Sequence, residues 1–167
     1  LHDLKAQFPG IRTVQSDLAD MASVDAMMTD IMRDGPHLDL VINNAAIQEK
    51  GVLTDADFST LQADREIAIN LLAPMRICRA VIHGWMTQAE TIRTRSNSVS
   101  CRIVNVSSGL AFFPKTSGAV YCASKAALHS FSQSLRYQLV AANLPVAISE
   151  VFLPVVDTPM TASRDLP

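Results

Sequence analysis

Apolar positions along this chain change their period several times, and the changes mark out its elements. Residues 11–16, IRTVQS, have the β-branched and apolar content of a strand. After Asp17, Leu18 and Ala19, apolar side chains fall at Met21, Val24, Met27, Met28, Ile31 and Met32, which predicts a helix with one buried stripe. Asp34-Gly35-Pro36 breaks it, and LDLVI at 38–42 then reads as a short strand apolar on both faces. A second helical pattern runs from about Asp57 to Met86 through Ile67, Leu71, Leu72, Met75, Ile77, Val81 and Ile82. Pro74 predicts a kink in its middle that frees backbone carbonyls. The polar stretch 88–100 reads as an exposed loop, because strand RIVNV follows at once. A helix over about 118–142 and a strand in PVAISEVFLP, after the breakers Asn143 and Pro145, complete the series.

Strand, helix, strand, helix, strand, helix, strand is the order of an α/β fold. We expect a single Rossmann-like domain over 1–167, a doubly wound parallel sheet with helices on both faces. In such sheets ligands sit beyond the carboxyl ends of the strands. The pairs Asn43-Asn44 and Ser107-Ser108, together with Pro154, fall there.

Composition narrows the function classes. With 49% apolar residues the chain has material for a sizeable core, and a formal charge of −2 with no basic stripe argues against nucleic acid as a partner. Cys78, Cys101 and Cys122 are widely spaced and odd in number, so they suggest neither a disulfide framework nor a metal-ligand pair, and a reducing, cytoplasmic setting fits. His2, His37, His83 and His129 lack metal-ligand spacing and are assigned to surface or structure. The longest apolar runs fall short of a membrane span. Six glycines are present and none forms GxGxxG, so a nucleotide's pyrophosphate has no evident seat.

Candidate chemistry lies in SSGLAFFPKTSGAVYCASK, residues 107–125. Tyr121 and Lys125 are four apart and share one helix face. Reducing a carbonyl by hydride transfer needs a proton delivered to oxygen and a donor that holds the developing oxyanion. Tyr121 suits the first task and Ser108, at a strand end, the second. A phenol with a pKa of about 10 is a poor base for the reverse oxidation. An ammonium about 4 Å away at an effective dielectric of about 20 is worth roughly 4 kcal/mol to the phenolate, before desolvation is subtracted. Taken alone, Asn43-Asn44 also reads as a turn, Asp17 as a loop or helix-capping carboxylate, and Cys122 as packing.

Ser108 thirteen residues before Tyr121, YCASK at 121–125, NNAA at 43–46 and INLLAP with Asn70 together resemble the short-chain dehydrogenase/reductase family, over nearly the whole chain. The resemblance implies an oxidoreductase using NAD or NADP on a small-molecule alcohol or carbonyl. It implies Tyr121 as acid and base, Lys125 as pKa modulator and ligand of the nicotinamide ribose, Ser108 as the carbonyl's donor, and Asn70 as holder of a relay water. Asn43, Ala45 and Ala46 would line the cofactor, Asp17 and Leu18 would meet the adenine, and Pro154, Val156 and Thr158 would lie near the nicotinamide amide. A homodimer or homotetramer through the two long helices is implied as well.

Three departures accompany the resemblance. Val155 follows Pro154 where family members usually carry glycine, and Ala46 replaces another glycine. The family's first two strands and its Gly-rich turn have no counterpart, and the chain opens LHDLKAQFPG without methionine, so a fragment is expected. The missing strands would lie between those at 11–16 and 38–42, which leaves edges unpaired. The alternative reading is a truncated, catalytically silent piece acting at most as a self-association module.

Overall fold

The computed structural model describes residues 6–34, 38–49, 51–87 and 101–154. The stretch 88–100 and the cofactor candidates Val156 and Thr158 lie outside them. Three strands, β1 (Leu40–Asn43), β2 (Cys101–Ser108) and β3 (Val146–Leu153), pair in parallel in the order β1-β2-β3. Helix α1 (Met21–Asp34) precedes β1, helices α2 (Thr60–Ile67) and α3 (Ala73–Thr87) lie between β1 and β2, and α4 (Ala119–Ala141) joins β2 to β3. Parallel neighbours need such helical crossovers.

Alternation along β2 decides what faces inward. Cys101, Ile103, Asn105 and Ser107 are buried, whereas Arg102 is exposed. Cys101 and Ile103, with Ile148 of β3, meet Met28 of α1, Cys78, Val81 and Trp85 of α3, and Leu135 and Leu139 of α4 in one apolar cluster. Trp85 completes it by donating Nε1–H to the Leu38 carbonyl at 2.6 Å. The helices that build this core therefore pack on one face of the sheet. The parallel strands joined by helices are the α/β arrangement expected from the sequence, and on the other face of the sheet Leu40, Ile42, Val151 and Leu153 are exposed. The run LDLVI reveals that both its faces are apolar, not what covers each.

The strand expected at 11–16 is not found: those residues join no sheet. Extended backbone becomes a strand only where a neighbour takes its N–H and C=O groups, and no described strand lies beside it.

The break in the long helix does appear beside Pro74. Ala68–Leu72 is a π turn, across which the Ala73 N–H reaches the Ala68 carbonyl, and Pro74 has no N–H to offer the Asn70 carbonyl four residues back. Among the described residues, Thr60–Thr87 is the one helical stretch long and apolar enough to cross a membrane, by length and composition alone, through an 18-residue window of mean hydropathy 1.2. Its Ile69, Asn70, Ala73, Pro74, Cys78, Val81 and Trp85 are buried in the fold, as in a core helix.

Helix α4 ends in a closed cap. Asn143 adopts a left-handed φ of 50°, Leu144 N–H bonds to the Leu139 carbonyl at 3.0 Å, and Asn143 N–H bonds to that of Val140 at 3.0 Å. This Schellman arrangement turns the chain into β3, with asparagine in the position that tolerates αL.

Candidate active site

Tyr121 stands in the first turn of α4 and Lys125 one turn later, with relative exposures of 9% and 3%. The Lys125 ammonium donates to the Val106 carbonyl at 2.9 Å and lies 5.7 Å from the centre of the Tyr121 ring. Burial pulls Lys125 down from 10.5 to about 8, while the charge of Glu150 pushes it up. The positive charge that the i,i+4 spacing promises is thus kept beside the phenol at neutral pH, in surroundings that oppose it.

Ser108 ends β2. Its Oγ accepts the Leu110 N–H at 3.2 Å and opens a 3-10 turn at Gly109–Ala111, an arrangement that keeps its own O–H available as a donor. Alternation sends its neighbour Ser107 to the opposite face, into the core, where its Oγ has no hydrogen-bond partner.

Asn70, on the π turn, is 1% exposed and joins three segments. Its Oδ1 accepts the Ile47 N–H at 2.9 Å, and its Nδ2 donates to the Ile47 carbonyl at 2.8 Å and to Ser124 Oγ at 3.2 Å. Ser124 in turn donates to the Tyr121 carbonyl at 2.8 Å. The loop after β1, the π turn and the first turns of α4 are therefore fixed to one another at one amide.

Asn43 serves the sheet rather than the loop. Its Nδ2 donates to Asn105 Oδ1 at 2.8 Å, and Asn105 Nδ2 donates to Ser132 Oγ on α4 at 2.8 Å. Asn43, Asn105 and Glu150 are opposite one another in register and form a polar row across all three strands. Ala45 and Ala46 follow on the loop, the first exposed and the second half-buried, and Pro154 is exposed just beyond β3. Asp17 is exposed and locally committed, its Oδ1 accepting the Ala19 N–H at 2.9 Å while its own N–H reaches Ser23 Oγ at 3.1 Å. Those contacts tie it, with half-buried Leu18, to the start of α1 rather than to the Tyr121 group.

Two buried carboxylates have no part in the sequence reading. Glu66 of α2 is 2% exposed and has one oxygen without a partner. Burial, with the charge of Glu49 adding to it, raises its pKa from 4.5 to about 7 against a hydrogen bond from the Glu49 backbone. It lines a cleft with Glu49, Gly51, Phe58 and Gly118 beside the start of α4. Glu150 of β3 bonds to His129 Nδ1 at 2.8 Å. The available signal for Glu150 was its place in an apolar alternation, Val146, Ile148, Glu150, Phe152.

The family model described as short chain dehydrogenase matches residues 1–166. An uncharacterized oxidoreductase of Bacillus subtilis, DltE, is 36% identical over 166 residues, covering 99% of this chain and 61% of the relative. A probable oxidoreductase of Mycobacterium tuberculosis, EphD, is 33% identical over 147 residues, 88% of this chain and 23% of the relative. Among solved structures, a short-chain dehydrogenase from Streptomyces avermitilis superposes with a TM-score of 0.76 at 22% identity, over 95% of this chain and 54% of that one. A short chain dehydrogenase from Burkholderia cenocepacia, in complex with NADP, gives 0.70 at 27% identity, over 88% and 54%. The chain spans 61% of the length of the first of these curated relatives.

Proposed function

The chain belongs to the short-chain dehydrogenase family, and from that premise we propose that it carries the catalytic half of an NAD- or NADP-dependent oxidoreductase interconverting an alcohol and a carbonyl. The observation that carries this reading is the buried Tyr121 and Lys125 pair, one helical turn apart beside the end of the strand that bears Ser108.

Bound nicotinamide supplies or accepts the hydride. Tyr121 gives its phenolic proton to the substrate oxygen during reduction and recovers it during oxidation. Lys125 makes the phenolate attainable by placing positive charge beside it. Ser108 donates its hydroxyl to the same oxygen and holds the charge that develops there. The main-chain carbonyl of Asn70, which Pro74 cannot satisfy, is the seat for a relay water beside Lys125. Its side chain keeps that carbonyl and the 44–49 loop in register.

The donor set fits the nicotinamide half of the cofactor. Lys125 has three N–H donors, of which one reaches Val106, and Ala45 and Ala46 are small enough for a ring to approach the loop. Asn43 would contribute through its backbone, since its amide is engaged with Asn105. Asp17 and Leu18 are assigned to the adenine, and Pro154, Val156 and Thr158 to the nicotinamide amide. The similar structure solved in complex with NADP supports this class of cofactor. Association through the two long helices belongs to the same proposal, and these helices expose Leu61, Met75, Tyr137 and Val140. Sedimentation of the protein tests it.

The decisive assay gives the complete protein NADH and NADPH with a panel of carbonyls. Tyr121→Phe is expected to abolish turnover while leaving the fold intact, and unchanged turnover would refute the assignment. A second reading, for these 167 residues taken alone, is favoured by the exposed sheet face at Leu40, Ile42, Val151 and Leu153. On that reading the piece is catalytically silent, and calorimetric titration with NADH or NADPH shows no binding.

A further inference from the structure

Tyr121, Lys125, His129 and Gln133 succeed one another at intervals of four on α4, so one ridge of the helix carries all of them. His129 meets Glu150 Oε2 through Nδ1 at 2.8 Å and Gln133 Nε2 through Nε2 at 2.9 Å. The Gln133 nitrogen is a donor, so His129 Nε2 accepts and Nδ1–H is given to Glu150. In that arrangement His129 gives the carboxylate one hydrogen bond, at Oε2.

The side chain of Glu150 is 5% exposed, and its second oxygen is buried without a partner. Phe112, His129 and Phe152 pack as a ring cluster with centroids 4.7 to 5.6 Å apart, of which His129 is the member bonded to Glu150. An ionised carboxylate in such a place is unfavourable unless a positive charge faces it. Lys125 stands one turn before His129 on the same ridge and holds its ammonium on the Val106 carbonyl of β2, the strand paired with β3, where the charge of Glu150 raises its pKa against burial.

We propose that Glu150 is a positioning residue for Lys125, a buried carboxylate anchored by His129 whose negative charge faces the Lys125 ammonium from the neighbouring strand. It acts on the reaction through Lys125, and this role rests on the reaction proposed above. The other ionisable groups around the pair are few. Helix α4 offers Tyr121, His129 and Arg136, whose Nη2 donates to the Ile148 carbonyl at 3.3 Å. On β2 the titratable side chain of the inward face is Cys101, at the opposite end of the strand. The same face of β3 otherwise carries Val146, Ile148 and Phe152.

The test follows Lys125 itself, so it needs no turnover. The protein is labelled with 13C-lysine, and the Lys125 resonance, identified by its loss in Lys125→Met, is titrated in the parent and in Glu150→Gln. Glutamine keeps the size of the side chain and can still accept from His129, so a purely structural role would leave the titration where it was. The Lys125 midpoint is expected to fall by about half a unit or more, and the alkaline limb of the pH-rate profile to move with it. Glu150→Asp, which retains the charge one methylene further back, is expected to show a smaller fall. An unmoved midpoint in folded Glu150→Gln overturns the proposal. If glutamine is not accepted by the fold, an unmoved midpoint in Glu150→Asp does so. Should Lys125 shift as expected while Tyr121→Phe keeps full turnover, the reaction is wrong and the pairing stands.

Discussion

Asn70 and Ile47 are joined twice, the side-chain amide of one accepting from and donating to the backbone of the other at 2.9 and 2.8 Å. A side chain that imitates a strand neighbour in this way fixes a loop without a ladder, and the loop it fixes carries Ala45 and Ala46. Asn70→Ala leaves a backbone N–H and carbonyl of Ile47 without these partners and removes a donor to Ser124. A loss of about 2–4 kcal/mol is expected in urea unfolding. A fall in turnover of about 100-fold is expected in the complete enzyme, because displacement of the loop misplaces the reactants.

Lys125 opposes the stability of the fold it serves. Its folded pKa of about 8 lies below the unfolded 10.5. Below pH 8 both states hold the proton and the folded one bears the full penalty. Between 8 and 10.5 the unfolded chain holds more protons, so stability rises with pH. The separation corresponds to roughly 3 kcal/mol, from which the bond to Val106, about 1 kcal/mol, must be subtracted for a replacement that cannot make it. Lys125→Met is therefore expected to raise Tm at pH 7, to lose that advantage near pH 10.5, and to be inactive. Thermal melts across this range, with parallel assays, check it.

Glu66 has the reverse dependence. Its folded pKa of about 7 exceeds the ordinary 4.5 because burial disfavours the anion. Between those values the folded chain holds more protons than the unfolded one, so this group makes stability fall as pH rises from 4.5 through 7. Glu66→Gln is expected to gain up to about 3 kcal/mol at pH 8 and little at pH 4.5. Urea midpoints at the two pH values measure the difference.

The Asn43 and Asn105 pair is buried, with exposures of 8% and 0%. Removing either leaves a polar partner unsatisfied inside the sheet. Asn43→Ala and Asn105→Ala are each expected to destabilise by about 2–3 kcal/mol. The double variant is expected to lose at least about 1 kcal/mol less than the sum, as coupled neighbours do. A double-mutant cycle in urea reads this directly.

How much of this was legible in the chain follows the range of the interactions. Tyr121 and Lys125 are four residues apart, and helical geometry alone brings them to one face. Pro74 announces the break beside Asn70 because a missing N–H is a local fact. The strand at 11–16 failed for the opposite reason, since its partner must come from elsewhere. Asn43 was placed by sequence at the mouth of the site, yet its amide turns to Asn105, which is 62 positions away.

By itself the sequence determined the parallel strand-helix order, the apolar faces and the spacing of the reactive pair, all set by steric periods of a few residues. Only the tertiary structure decided that Lys125 lies in a dry place under Val106, that Glu150 of β3 is bonded to His129, and that Asn70 holds Ile47. Burial and charge depend on what surrounds a group in space, and those surroundings come from strands and helices far apart along the chain.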